Sequence, residues 1–276
     1  MPDPIVVPPW GDDPLSKHMA DAEHNTRAAS LNWTDVYEVQ QRAHALLLRV
    51  GEIIEPERGD SQHIGAPRML IHRSHAAILA TMRLAMSGQA IEAMAVLRVA
   101  IEQGWYALHI ASDPAPPNRA RIWWNRDDSP EATKACQNEF KVGTVRGTHE
   151  ALDPGTAAIV QRLYNDTITY GAHPNSSGIA LGLSVEQLDA ETATIRVGIL
   201  NPTPMTMLST IKAAVDVAMG LTMTVSLIYK DAFKRAGLGR DFNALRGHAA
   251  DVFPARAEML RREKGEGDDS ARARPE

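Results

Sequence analysis

Apolar residues recur along most of the chain at intervals of three and four, the spacing that places them on one face of an α-helix. Residues that cap or stop helices bound these runs, as Asn32 and Pro56 bound the first clear one. The predicted helices span about residues 32–55, 68–86, 89–111, 119–126, 129–147, 153–172, 205–235 and 242–262. Because short loops join most of these helices, the pattern predicts an all-α fold with an antiparallel helical bundle as its core.

One segment departs from the helical period. Two stretches of strand character, residues 179–183 and 192–200, flank a polar segment that is rich in turn-forming residues. This arrangement predicts a small β-hairpin inserted near residues 179–200, although residues 184–191 could instead form a turn of helix.

The two ends of the chain differ in composition from its middle. Residues 1–30 begin with a proline-rich stretch and continue with alanine and charged residues, which predicts a mobile N-terminal arm that can include a short helix. The helical pattern occupies residues 31–262, and a single helical domain is predicted there. Residues 263–276 are charged and lack apolar anchors, a composition that predicts a disordered C-terminal tail.

Composition and charge narrow the class of protein. Of the 276 residues, 44% are apolar and 23% are charged, which is the balance of a globular domain. The formal net charge of −5 lacks the basic excess typical of nucleic-acid-binding proteins, so a nucleic-acid partner is not expected. The single cysteine, Cys136, excludes an internal disulfide and a zinc cluster of thiolates, and it favours a cytoplasmic location.

Sequence motifs for cofactors, targeting and membrane insertion are also missing. There is no dinucleotide-binding, phosphate-binding or hydrolase motif, so no cofactor is predicted. The N-terminus lacks the pattern of a signal peptide. The most apolar segment, residues 205–229, contains Lys212 and Asp216, which favours a buried core helix over a membrane span.

Polar residues within an apolar helix face mark the candidate site. In the helix 89–111, Arg98, Glu102 and His109 lie on the apolar face. Arg98 and Glu102 are four residues apart and can form an ion pair. A buried charge requires a partner, because removing one costs about 3–5 kcal/mol. The pair therefore either fixes the packing of the helix or forms the polar floor of a pocket.

Further candidates lie on neighbouring helices. His75 falls near the centre of an apolar face, where a histidine is usually a structural residue. Its spacing from His72 suits metal ligation, but no third ligand is evident and no metal site is predicted. Tyr164 and Tyr170 lie on the apolar side of the helix 153–172, and His173 follows at its end, where a histidine can act as a cap.

Two adjacent tryptophans, Trp123 and Trp124, stand between arginines in the short segment RIWWNR. Aromatic and arginine side chains together occur on nucleic-acid-binding surfaces, but paired tryptophans on a short helix more often form a protein interface. We therefore predict a protein partner at this surface and a homodimer as the assembled form.

Two segments of the chain resemble a known family. They are AMAVLRVAIEQGWYALHI, which carries Arg98 and Glu102, and YNDTITYGAHPN, which precedes a β-prone stretch and a long apolar helix. Over about residues 65–235 the chain resembles the uncharacterised bacterial helical proteins of the DUF5677 type, which are grouped loosely with HEPN-like all-α domains. The resemblance implies a helical fold in which Arg98, Glu102 and the segment from Tyr170 to His173 meet in space.

The same resemblance bears on ribonuclease activity. HEPN ribonucleases carry an arginine and then a histidine on one helix, with four to six residues between them. Here the nearest arginine before His173 is Arg162, with ten residues between them. The chain therefore departs from the ribonuclease pattern at the positions that would carry catalysis.

Three functions follow from these observations. The first is a binding or interaction protein whose polar cluster is structural. The second is a ligand pocket within the bundle, lined by His75, Arg98, Glu102, Tyr106, Tyr164, Tyr170, His173 and Asn175. The third is a metal-independent HEPN-like ribonuclease or toxin-type enzyme. In that enzyme His173 would be the general acid or base, Arg98 would stabilise phosphoryl charge, and Tyr170 or Asn175 would position the substrate.

Overall fold

A computed structural model describes residues 10–54, 62–172, 176, 179, 183–187, 192–201 and 203–272. Its helices, in chain order, are α1 (Pro14–Asn32), α2 (Thr34–Ile53), α3 (Gln62–Ser87), α4 (Ala90–Ala111), α5 (Asn118–Trp124), α6 (Pro130–Glu139), α7 (Val142–Leu152), α8 (Pro154–Thr167), α9 (Pro204–Ile228), α10 (Lys230–Arg235) and α11 (Leu238–Arg272). A π-helical segment, Ile168–Ala172, continues α8. The fold is mainly all-α, which confirms the predicted class.

A short hairpin interrupts the helices between α8 and α9. Strands β1 (Leu183–Gln187) and β2 (Ala193–Val197) pair antiparallel, with Val185 opposite Ile195. The N–H of Asn201 donates to the carbonyl of Gly88 at 2.8 Å and ties the end of this segment to the turn between α3 and α4. The predicted hairpin is thus present, but its first strand begins where the predicted strand 179–183 ends and takes up part of the polar segment expected to form the turn.

Local capping chemistry sets several helix boundaries. The Ser129 side chain accepts a hydrogen bond from the Ala132 N–H at the start of α6. The Asp153 carboxylate accepts one from the Thr156 N–H at the start of α8. A proline stands at the first position of both helices. These interactions involve residues close in sequence, which is why the sequence predicts both boundaries.

Other boundaries differ from the prediction. Asn32 ends α1 and does not cap α2, which begins after Trp33. The predicted helix 129–147 is divided at Phe140 into α6 and α7, and the predicted helix 205–235 is divided at Tyr229. Both breaks occur at partly or fully buried aromatic residues that pack on the core, so tertiary packing and not a local stop residue ends these helices.

Helix extends towards both ends of the described chain. Helix α1 packs against α3, and the Asn25 amide donates to the Ser87 carbonyl at 3.0 Å. Helix α11 continues to Arg272, within the segment 263–276, and the mobility of the arm and of the tail stays a prediction. Residues 1–9 and 273–276, also part of those predictions, lie outside the described residues.

Helix α9 lies at the centre of the bundle and contacts α2, α3, α4, α8 and α11. Within the described residues it is the one helix with the length and composition to cross a membrane. In its most apolar stretch of 18 residues, 56% is buried inside the protein. Its buried positions include Ile211, Val215 and Val225. Protein side chains from several helices therefore cover α9, as the prediction of a core helix requires.

Candidate functional site

The predicted ion pair of α4 forms together with a tyrosine of α8. Arg98 Nε donates to Glu102 Oε1 at 2.8 Å, and the Tyr164 hydroxyl donates to the same oxygen at 3.1 Å. The Arg98 guanidinium also lies 5.3 Å from the centre of the Tyr164 ring. These three residues, called the Arg98 cluster below, join α4 to α8.

The Arg98 cluster is less buried than its place on the apolar face predicts. The side chains of Arg98 and Glu102 are 27% and 31% exposed, whereas Tyr164 is 4% exposed. The expectation of a buried ion pair is therefore wrong. Helical periodicity indicates which side of α4 faces the core, but it does not indicate how far α8 covers that side.

Burial and charge set the protonation of the cluster. Desolvation, together with the negative charge of Glu102, raises the pKa of Tyr164. The hydrogen bond to Glu102 raises the pKa of Arg98. The phenol stays protonated and the guanidinium stays charged at neutral pH, so both can donate to Glu102. The carboxylate is thus held by two donors and stabilises the contact between two helices.

Tyr106 lies one turn beyond Glu102 on α4. Its hydroxyl donates to the Phe140 carbonyl at 3.1 Å, and its ring packs against the Phe140 ring with 4.9 Å between centroids. Burial, followed by the charge of Glu102, raises the pKa of Tyr106. The residue therefore adjoins the Arg98 cluster, but its hydroxyl is used to anchor the end of α6.

His75 pairs with a residue of another helix. Its Nε2 lies 3.0 Å from Nδ1 of His44 on α2. The adjacent Ser74 is the residue of α3 that faces α4, because its hydroxyl donates to the Ala100 carbonyl at 2.8 Å. Since neighbouring residues of a helix are about 100° apart, His75 faces a different neighbour. His75 therefore contacts α2 and is not part of the Arg98 cluster.

Tyr170 lines a groove beside the Arg98 cluster. The groove has a volume of about 420 Å³ and lies between α4, α8, the π-helical segment and α9. Its lining residues are Ala90, Met94, Asp166, Tyr170, Met205, Thr206, Ser209, Thr210 and Ala213. Met94 is one turn before Arg98 on the same side of α4, so the groove and the cluster are neighbours along that helix.

A glycine brings the π-helical segment into direct contact with α4. A Cβ atom on Gly171 would lie 2.6 Å from the Ile91 carbonyl oxygen and from Met94 Cβ, and 2.7 Å from the Ala95 nitrogen. Only a residue without a side chain can approach another backbone this closely. Because π-helical turns are frequent at functional sites, this contact supports the adjoining groove as a candidate functional site.

His173 and Asn175 lie outside the described residues. The roles that the sequence assigns to them, including any contact between His173 and the Arg98 cluster, stay predictions.

A second polar network, which the sequence indicates only through His109, lies at the other end of α4. His109 is fully buried, with Nδ1 2.7 Å from the Thr148 hydroxyl and Nε2 3.1 Å from Glu139 Oε1. Arg119 Nε donates to the same Glu139 oxygen at 3.0 Å. Burial, and then the charge of Arg119, lowers the pKa of His109. The network joins α4, α5, α6 and α7 in space, which sequence spacing could not indicate.

His149 is a second buried histidine, and the sequence pattern did not mark it. The Trp105 indole N–H donates to His149 Nδ1 at 3.1 Å, and His149 is fully buried. Since Nδ1 accepts this bond, the neutral ring carries its proton on Nε2, which has no hydrogen-bond partner within the described part of the chain. Burial lowers the pKa of His149.

Stability is expected to fall as the pH drops from about 6.5 towards 4. The pKa values of His75, His109 and His149 all lie below the ordinary value for histidine, mainly because of burial, and that of His75 is lowered to about 4. In this range the unfolded chain binds protons that the folded chain does not bind, so protonation favours unfolding. Urea denaturation at several pH values measures this effect.

His149→Asn provides the control for this pH dependence, because asparagine keeps an acceptor for Trp105 and does not titrate. The variant should show a weaker loss of stability between pH 6.5 and 4. A wild-type free energy of unfolding that stays constant from pH 6.5 to 5 would contradict the prediction.

The two tryptophans of α5 differ in their exposure. Trp123 packs partly against the core, whereas Trp124 is 42% exposed, and their rings meet edge to face with 4.9 Å between centroids. Trp124 is thus accessible to another protein. The partner at Trp123 and Trp124 and the homodimer stay predictions, which light scattering across a range of protein concentrations can test.

Comparisons of this chain with protein families, curated proteins and solved structures produced no match. The resemblance to the DUF5677 type and to HEPN-like domains therefore stays a prediction.

Proposed function

We propose that the chain is a binding protein that holds a small ligand, apolar in its body and cationic at one end, in the groove between α4, α8 and α9. The groove carries this proposal. Its volume of about 420 Å³ lies within the range of roughly 300–1,000 Å³ typical of ligand pockets. Apolar side chains such as Met94 and Met205 line it together with a few polar groups, as in many small-molecule sites.

The polar groups of the groove favour a cationic ligand. Partial desolvation raises the pKa of Asp166, against the opposing effect of Arg162. A carboxylate in a partly apolar setting is stabilised by a nearby positive charge. The Tyr170 ring offers a second attractive surface for a cation. The ammonium group of such a ligand would lie near Asp166 and Tyr170, and its apolar body would contact the methionines. The ligand would thus match both the polar and the apolar side chains of the groove.

The Arg98 cluster supports binding in preference to ribonuclease catalysis. Glu102 accepts hydrogen bonds from Arg98 and Tyr164, so its carboxylate is engaged in packing α4 against α8. The charge of Arg98 is likewise compensated by Glu102 and is not directed at a free anion site. The cluster is suited to hold the neighbouring groove in shape.

Dansylcadaverine, a fluorescent amine with an apolar ring system, is a probe of the proposed chemistry. We expect its fluorescence to rise on titration with the protein. Asp166→Asn should weaken binding about 3- to 5-fold, as expected for loss of a partly exposed ion pair. Ser209→Trp, a change at an exposed position of the groove wall, should fill the groove and remove binding.

Two controls make this test specific. Asp251→Asn removes an equivalent charge from an exposed position on α11 and should leave the affinity unchanged. Anilinonaphthalene sulfonate, an anionic probe of similar size, should bind more weakly than the amine. Equal binding of the amine to the wild type and to Ser209→Trp would show that the groove is not the site.

A further inference from the structure

His44 and His75 bring two ring nitrogens of different helices face to face. Nδ1 of His44 and Nε2 of His75 are 3.0 Å apart, the ring centroids are 5.2 Å apart, and the ring planes are inclined at 49°. Both side chains are half-buried, so each retains access to solvent. The pair spans the contact between α2 and α3, away from the groove and the Arg98 cluster.

The separation of these nitrogens is close to that of two zinc ligands. With Zn–N distances of about 2.0–2.1 Å and tetrahedral angles, two imidazole nitrogens lie about 3.3 Å apart and the ring centroids about 5 Å apart. The rings of His44 and His75 already have nearly this separation. A small opening of the pair and a rotation of both rings would direct the two lone pairs at one ion.

Metal binding at the pair competes with proton binding. Imidazole binds a metal in its neutral form, so a proton competes with the metal. The two facing nitrogens are 3.0 Å apart, so in the hydrogen-bonded pair one of them carries the hydrogen that the other accepts.

The environment of the pair defines how many ligands the protein supplies. His72 lies one turn earlier on α3, but its ring is directed at Gly51, where a Cβ would be 3.4 Å from His72 Cε1. The described residues contain no group of three or more His, Cys, Asp or Glu side chains placed to hold a metal ion. A tetrahedral ion at this position would thus be bound by these two protein nitrogens and by solvent molecules.

We propose that His44 and His75 form a two-histidine site for a divalent transition metal of the zinc class, which bridges α2 and α3. An ion at this position would replace one hydrogen bond between the helices with two metal–nitrogen bonds, and the proton of that hydrogen bond would move through solvent to the other nitrogen of the same ring. Binding to the folded chain would also raise its stability, with the logarithm of the metal concentration once the site is nearly saturated. The site is independent of the proposed groove.

Calorimetric titration of the full chain with zinc chloride, after removal of bound metal by a chelator and without a histidine tag, tests the proposal. We expect one zinc ion bound per chain and a higher melting temperature with zinc. His44→Gln and His75→Gln should each weaken zinc binding by at least about 10-fold, since even residues behind a ligand affect affinity this much. Magnesium, which prefers oxygen ligands, should not bind.

His24→Ala serves as the matched control, because His24 is an exposed histidine on α1. This variant should bind zinc as the wild type does. Circular dichroism without metal verifies that each variant is folded. Absence of stoichiometric zinc binding by the wild type overturns the proposal whatever the variants do. Unchanged affinity in folded His44→Gln or His75→Gln overturns it as well.

Discussion

Gly171→Ala is expected to lower the free energy of unfolding by about 3 kcal/mol, at the upper end of the usual cost of overpacking. The added methyl group would meet the Ile91 carbonyl, Met94 Cβ and the Ala95 nitrogen at 2.6–2.7 Å. Two of these contacts are with backbone atoms of α4, which cannot move aside as the end of a flexible side chain can. Urea denaturation followed by circular dichroism measures the loss.

Gly104→Ala is the matched control for this substitution. Gly104 is buried in the middle of α4, and a Cβ there would lie 3.5 Å from Leu221 Cδ1, an ordinary contact. Because alanine is favoured over glycine in a helix, this variant should gain about 1 kcal/mol. If Gly171→Ala proved as stable as the wild type, the close approach of the π-helical segment to α4 would be wrong.

His149→Leu is expected to lower the free energy of unfolding by about 1 kcal/mol, the lower end of the cost of leaving a buried donor unpaired, because it also removes the unpaired N–H at Nε2. The substitution removes the acceptor of the Trp105 indole N–H, and both residues are fully buried. His149→Asn should cost less, because its amide oxygen can take the place of Nδ1. Urea denaturation at pH 7.5, where histidine is neutral, isolates this effect from titration.

A double-mutant cycle with Trp105→Phe separates the hydrogen bond from the packing of the imidazole ring. In the Trp105→Phe background the indole donor is absent, so His149→Leu should cost less than in the wild type. Residues in contact usually show interaction energies of about 0.5–3 kcal/mol. Strictly additive losses would indicate that the bond contributes nothing to stability.

The two predictions concern opposite ends of α4, and only the first bears on the groove. Gly171 sets the distance between the π-helical segment and Met94, which lines the groove. Gly171→Ala should therefore also weaken dansylcadaverine binding, whereas His149→Leu should leave it unchanged in the folded protein. Such a difference between the two variants would show that binding depends on the packing of the π-helical segment against α4.

The positions of most helices follow from the sequence alone. Apolar periodicity locates α2, α4 and α8, and the Ser-Pro and Asp-Pro pairs at Ser129 and Asp153 mark the starts of α6 and α8. Such features depend on residues within one or two turns of each other, so a single sequence contains the necessary information. The pairing of Arg98 with Glu102 is predictable for the same reason.

The candidate site required the tertiary structure. Tyr164 joins Glu102 across 62 residues of chain, and Trp105 joins His149 across 44. His75 meets His44 and not the Arg98 cluster, because the direction in which α3 crosses its neighbours determines which helix each of its faces contacts.

The sequence by itself thus determined the class of fold, the main helices and the polar residues that interrupt their apolar faces. Only the tertiary structure decided which of those residues meet, how far each is buried, and where a groove remains open. Helix formation and capping are governed by neighbours in the chain. The contacts of the groove and of the buried histidines depend on how separate helices pack, and that packing is distributed over the whole sequence.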